Sequence, residues 1–185
     1  MTGYAFTGSY CTFLDSFQEF SALIERGEDI IPIMSENAYS TDTRFFAAKD
    51  FIRAIEEKSG RKTVHTITEA EKFGQSRLDR LIISPCTGNT LAKIANGITD
   101  TAVTMAAKAH LRCDGKLLIA LASNDAMSQN LKNISALLTR KSVYFVPMRQ
   151  DNPNGKPHSL VTDFTLIPKA LLAMDNDSQI RPIFI

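Results

Sequence analysis

The stretch Arg80–Asp100, RLIISPCTGNTLAKIANGITD, decides how the rest of the chain is read. It opens on an apolar run, Leu81-Ile82-Ile83. It breaks at Pro85 into small polar residues and then takes up helical spacing through Leu91 and Ile94. A strand apolar on both faces, a tight turn and a helix in immediate succession form the repeating unit of a parallel α/β sheet. The turn Ser84–Thr90 is smaller and more polar than a plain connection needs. Two causes produce such a turn: helix capping by Ser, Thr or Asn, or close approach of another group to backbone that carries a glycine.

The same unit recurs along the chain. Gly3–Gly8 reads as a first strand, followed by Phe13, Phe17, Phe20, Leu23 and Ile24 at helical spacing and a stop at Gly27. Residues 29–35 (DIIPIMS) form a second strand. Residues 44–60 form an amphipathic helix with Phe46, Phe51, Ile52 and Ile55 on one side. Residues 62–68 (KTVHTIT) read as a short third strand and 77–84 as the fourth. Helices then occupy 89–97 and 101–112, a fifth strand 116–123, a helix 126–140, and a sixth strand 143–148. The expected fold is a Rossmann-like, flavodoxin-like three-layer α/β/α sandwich, one domain over 1–185, with a mostly parallel six-stranded sheet and right-handed crossovers. Residues 149–159 (RQDNPNGKPHS) are a loop by their turn chemistry. A helix near 166–174 and an apolar tail, IRPIFI, follow. Segment 149–185 is expected to pack on the domain or on a neighbouring subunit, because an exposed apolar end is poorly tolerated.

Composition narrows the functional classes. With 185 residues, a formal net charge of +1 and 22% charged residues, the chain has no basic surface for nucleic acid. No apolar run reaches the roughly 18 residues of a membrane span. The N-terminus has no secretory pattern. Cys11, Cys86 and Cys113 are odd in number and lack CxxC spacing, so neither a disulfide framework nor a metal site is expected. Reduced thiols fit the cytoplasm.

Four strand ends are small and polar: FTGSYCT, MSENAYSTDTR, SPCTGNT and ASNDAMS. Ligands of parallel sheets bind beyond the carboxyl ends of the strands. Glycine there admits an anion, and N–H groups and hydroxyls at a helix start donate to it. Thr7-Gly8-Ser9 therefore suits a phosphate, although neither the GxGxxG fingerprint nor the GxxxxGK[ST] loop is present.

The segment SPCTGNTLAKIANGITD resembles the PASANT…KIAxGxxD segment of the flavoprotein family that includes phosphopantothenoylcysteine decarboxylase and the lantibiotic cysteine decarboxylases. FTGS is similar to that family's phosphate turn. Within the family, the blocks STDTRF, MAAKAHLR, SNDAMSQN and YFVPMRQDNPNGKPHSLV resemble the group formed by dipicolinate synthase B subunits, and the matches run from Phe6 to Val161. The resemblance implies FMN, with Gly8 and Ser9 on its phosphate, Ser35 after the second strand, and Thr87, Gly88, Asn89 and Thr90 under the ring. Asn124 and Asp125 fall on the family's fourth loop. It also implies a homo-oligomer, often trimer-based, and a dehydrogenase-like A subunit that supplies NAD or NADP. Such a pair oxidises dihydrodipicolinate to dipicolinate in the mother cell of a sporulating bacterium. Arg44, Arg149 and Lys156 are the candidates for the substrate carboxylates, since Arg bonds both carboxylate oxygens. The decarboxylases' base histidine has no counterpart: its position falls on Glu71, and His65 reads as a strand residue. Two other roles stay open, a non-catalytic partner of the A subunit and a flavin-dependent decarboxylase.

Overall fold

The structure, a computed structural model, describes residues 1–185. Five parallel strands carry the fold: β1 (Thr2–Phe6), β2 (Ile30–Met34), β3 (Arg80–Cys86), β4 (Lys116–Ser123) and β5 (Val143–Phe145). They lie in the order β2-β1-β3-β4-β5. Two short strands, β6 (Met148–Arg149) and β7 (Leu160–Thr162), form an antiparallel pair, and β7 joins the carboxyl end of β4 at Ala122 and Ser123.

Eight α-helices cover the sheet. They are α1 (Phe13–Glu25), α2 (Glu36–Ser40), α3 (Ala48–Ser59), α4 (Ile67–Glu71), α5 (Gly88–Ala95), α6 (Ala102–Leu111), α7 (Leu131–Leu138) and α8 (Ile167–Asp175). None is long and apolar enough to cross a membrane. Alternate strand residues feed two cores. Tyr4, Phe6, Ile82 and Leu118 face α1, α3 and α8, while Ala5, Ile83, Ile119 and Leu121 face α5, α6 and α7. The first core is aromatic. Phe6 packs against Phe13, Phe20 and Phe51 with ring centroids 5.5–6.0 Å apart. Full burial of one such side chain contributes about 1.5–3 kcal/mol, so these contacts fix where β1 ends and where the turn beyond it begins.

The α/β/α architecture is the one expected, with three local corrections. The sheet has seven strands rather than six. The expected third strand at 62–68 is reduced to one bridge, Val64 to Ile33, because Thr66 leaves extended pairing to cap α4 in a reciprocal box with Glu69. The expected sixth strand splits at Pro147, where β7 is wedged between β4 and β6. The C-terminal tail lies beside β6: Met148 N–H donates to Ile183 O at 2.8 Å and Ile185 N–H to Met148 O at 3.1 Å.

Candidate functional site: a cleft at the carboxyl ends of β1, β3 and β4

A cleft of about 840 Å³ opens where the turns after β1, β3 and β4 meet the loop between β6 and β7. Thr7, only 1% exposed, ties the first two turns together. Its hydroxyl donates to Pro85 O at 2.8 Å and accepts from Thr87 N–H at 2.9 Å. Gly8 and Ser9 follow on the cleft wall. A Cβ placed on Gly8 meets nothing closer than the Tyr10 side chain, at 3.6 Å, and the glycine has no left-handed φ. The protein's own packing therefore does not require glycine there. The N–H groups of Gly8, Tyr10 and Cys11 have no acceptor within the chain. Ser9 supplies no side-chain cap to the short 3₁₀ turn that leads into α1.

The turn after β3 is built differently. Thr87 caps α5, accepting from Thr90 N–H at 3.2 Å. A Cβ on Gly88 would collide with Ser123 Oγ and would lie 2.6 Å from Asn130 Nδ2 and 2.8 Å from Asp125 Oδ1. Glycine here makes room for a side-chain network of the protein itself. Ser123 Oγ donates to Asp125 Oδ1 at 2.5 Å, and Asn130 Nδ2 lies 2.9 and 3.0 Å from the two carboxylate oxygens. Asn133 in turn donates to Asn130 Oδ1 at 2.8 Å. The Ser123 hydroxyl, and after it Asn130, hold the Asp125 carboxyl below the usual carboxylate range by stabilising the ionised form.

Asn89 and Asn124 line the cleft, exposed and without a side-chain partner in the chain. Arg44 is also on the wall, its guanidinium 4.9 Å from the centre of the Phe45 ring and in no ion pair. Lys156 reaches the cleft from the β6–β7 loop but is paired with Asp151 at 3.3 Å. That loop is held by its own bonds, Lys156 N–H to Asn152 O and Gln150 Nε2 to Pro157 O. Met127 N–H, donating to His158 O at 2.9 Å, ties it to the segment after β4.

Nine of the twelve expected residues thus meet in one cleft: Gly8, Ser9, Arg44, Thr87, Gly88, Asn89, Asn124, Asp125 and Lys156. Three lie outside its lining. Ser35 caps α2, its Oγ accepting from Ala38 N–H at 3.4 Å. Thr90 is buried in the cap of α5. Arg149 faces Asp163 at 3.8 Å. The sequence reading missed Tyr10, Phe45, Ser123 and His158 on the wall. The first three sit inside or beside the small polar turns, one residue from a named candidate, so turn membership was the available signal. His65 does not line the cleft; it is stacked on Tyr39 with centroids 3.8 Å apart and bonded through its backbone N–H to Glu69.

The flavoprotein family matches residues 3–165. The chain belongs to the flavoprotein family. Within it, the dipicolinate synthase B subunit of Bacillus subtilis (strain 168) is 34% identical over 99% of this chain and 92% of its own. The crystal structure of the dipicolinate synthase B subunit from Bacillus halodurans C superposes with a TM-score of 0.91 at 35% identity, over 100% of this chain and 95% of its own. The FMN-dependent cysteine decarboxylase SpaF shares the fold, with a TM-score of 0.69 at 21% identity over 95% of each chain. This flavoprotein is accordingly a homologue of the dipicolinate synthase B subunits.

The residues present fit FMN. A Cβ on Gly8 would meet nothing closer than the Tyr10 ring at 3.6 Å, and the adjoining N–H groups at the helix start are free to donate, as a phosphate requires. The cleft volume falls in the range of cofactor sites, roughly 300–1,000 Å³.

Proposed function

We propose that this chain holds FMN in the cleft and acts as the B subunit of a pair with a dehydrogenase-like A subunit. The pair oxidises dihydrodipicolinate to dipicolinate in the cytoplasm of a sporulating mother cell, with NAD or NADP entering through the A subunit. The observation that carries the reading is the Gly8 turn, where glycine serves no packing purpose and three N–H groups are left without acceptors. In this reading Gly8 and Ser9 hold the phosphate, and Asn89, Asn124 and Asp125 contact the ring. Bound FMN supplies a two-electron acceptor. Arg44 and Lys156 orient the dicarboxylate by charge, and the β6–β7 loop excludes water from above the cleft. Ser35, Thr90 and Arg149 drop out as direct contacts because they do not line it.

A second reading, a non-catalytic partner, is favoured by two features. The cleft carboxylate Asp125 is engaged by Ser123 and Asn130, and the Cys86 thiol is fully buried with its pKa pushed up by desolvation. The decarboxylase reading loses His65 as a base, since His65 does not line the cleft and is stacked on Tyr39. Quenching of FMN fluorescence by the purified chain, followed by assay of each subunit and of both together with dihydrodipicolinate and nicotinamide cofactor, separates these roles. Saturable FMN uptake and activity of the pair above that of the A subunit support the flavin-binding role. A chain that takes up no flavin yet raises the A subunit's activity establishes the partner role. Light scattering is expected to give a multiple of the 20.5 kDa chain.

A further inference from the structure

A second pit, of about 280 Å³, shares no residue with the cleft and lies between α5, α6 and the turn after α7. Its floor is apolar: Ile94 is 6% and Ala107 1% exposed, with half-buried Leu111 beside them. Its rim carries three exposed cations. Lys108 is on α6, Arg112 is the C-terminal cap one turn further, and Arg140 follows α7. No carboxylate lines the pit, and none of the three is in an ion pair. Asp100, the acid beside the lining turn 97–99, is taken by Lys93 at 2.8 Å. Like charges four residues apart on a helix repel, and nothing in the chain relieves Lys108 and Arg112. Cations at helix C-termini ordinarily complement the helix dipole, yet none of these donates a hydrogen bond to a carbonyl there. Arg112 is nevertheless seated. A Cβ on Gly74, at the end of the 3₁₀ turn after α4, would strike its Nη2 and lie 3.0 Å from Cζ and 3.3 Å from Nε. Glycine there makes room for a guanidinium that no acid holds. The half-buried Thr99 hydroxyl on the wall also lacks a partner in the chain.

We propose that this pit is a binding site for a compact organic dianion, two carboxylates carried on a small apolar ring. Arg112 and Arg140 come from different elements and each offers a planar fork that can take both oxygens of a carboxylate. Lys108 adds a point charge and Thr99 a hydroxyl donor, while the apolar body lies on Ile94, Ala107 and Leu111. The volume is near the lower end of small-molecule sites, roughly 300 Å³. It admits one six-membered ring with its substituents and excludes a partner helix, about 10 Å across. No residue of the cleft enters this inference, so it stands apart from the flavin reading.

Isothermal titration of the full chain tests it, in an Arg44→Ala Lys156→Ala background that strips the charge from the cleft wall. The probe is isophthalate, a benzene ring with two carboxylates. Isophthalamide matches it in size without the charge, and inorganic phosphate matches the charge without the ring. Isophthalate is expected to bind at least about tenfold more tightly than either, with its lead over the amide shrinking as salt rises. Arg112→Gln should weaken it several-fold. Gly74→Ala keeps every charge but puts a methyl group where the guanidinium sits, and it should weaken isophthalate several-fold as well. If Gly74→Ala does not fold, Lys108→Gln and Arg112→Gln, both on the exposed rim, decide the matter. No binding of isophthalate at millimolar concentration overturns the proposal. Equal binding of the amide removes the role of the cations, and equal binding of phosphate removes the role of the floor; either overturns it. Affinity untouched by the rim variants places the probe elsewhere and overturns it too. Uptake of FMN by the same chain is read separately by fluorescence, so the flavin reading stands or falls on its own.

Discussion

The turns at Gly8 and Gly88 look alike as sequence, TGS and CTGNT, each a glycine among small hydroxyl residues just beyond a buried strand. In the folded chain they are small for opposite reasons. At Gly88 the protein itself fills the space: Ser123, Asn130 and Asp125 stand where a side chain would go. At Gly8 the nearest neighbour of an added Cβ would be the Tyr10 ring at 3.6 Å, an ordinary contact. A glycine required by internal packing speaks to stability, and a glycine that packing leaves optional speaks to what binds beside it.

The largest effect should come from breaking the Gly88 turn. Gly88→Val forces a branched side chain into the Ser123–Asp125–Asn130 network. Overpacking of this kind costs about 1–3 kcal/mol, and displaced buried amides add to it. Urea unfolding should show a loss of at least about 2 kcal/mol. Pairing Gly88→Ala with Ser123→Gly, which removes the hydroxyl that a Cβ would strike, should recover part of the loss seen in Gly88→Ala alone. An additive pair would mean that the turn is small for some other cause.

Gly8→Ala should separate the two turns by its opposite signature. The glycine has no left-handed φ and its Cβ would meet no packed atom closely, so stability should stay level or rise by up to about 1 kcal/mol. Affinity for FMN should nevertheless fall about tenfold, because a methyl group then stands between the phosphate and the N–H groups of Tyr10 and Cys11. Unchanged affinity with unchanged stability would leave the Gly8 turn without a ligand role.

Legibility in the sequence follows the same division between packing and pairing. β1 to β4 were readable because each is apolar on both faces, as a covered parallel sheet demands. The misread strand at 62–68 alternates well, but Thr66 and Glu69 are spaced as a capping box, and that signal outranks the alternation. β7 was missed because three residues, Leu160–Thr162, are too short for a period to show beside a proline-rich loop. Pro147, lacking an N–H, marked the place where strand 143–148 divides. Seven of the nine cleft residues were reachable because strand ends of a parallel sheet converge; Arg44 and Lys156 were reachable only by their charge on the longer loops. Arg149 was not separable from Lys156 by sequence, since only the folded hairpin turns one towards Asp163 and the other into the cleft.

Asp125 offers a smaller, pH-dependent contrast. Its carboxyl is depressed in the folded chain by Ser123 and Asn130, so the linked stabilisation is complete above the unfolded value of about 3.9 and is lost as pH falls through the folded value. The stability gap between wild type and Asp125→Asn should therefore be widest near neutral pH and narrow towards about pH 2. Thermal melts at several acidic pH values check this, and a gap independent of pH would show that the carboxylate's charge contributes nothing.

The smallest effect belongs to Arg149, and it sharpens the map of the wall by doing nothing. Its guanidinium faces Asp163 at 3.8 Å on a half-exposed surface and does not line the cleft, whereas Arg44 lines it with no ionic partner. An exposed pair at that distance contributes at most about 1 kcal/mol and often less than about 0.5. Arg149→Ala should leave both the unfolding midpoint and the affinity for FMN or dipicolinate within about twofold of wild type. Arg44→Ala, equally silent in stability, should weaken dipicolinate binding several-fold, and the loss should shrink as salt screens the charge. Isothermal titration of both variants at low and high ionic strength tests the pair together. Equal losses in the two would mean that the charge acts through the general field of the surface rather than from a place on the cleft wall.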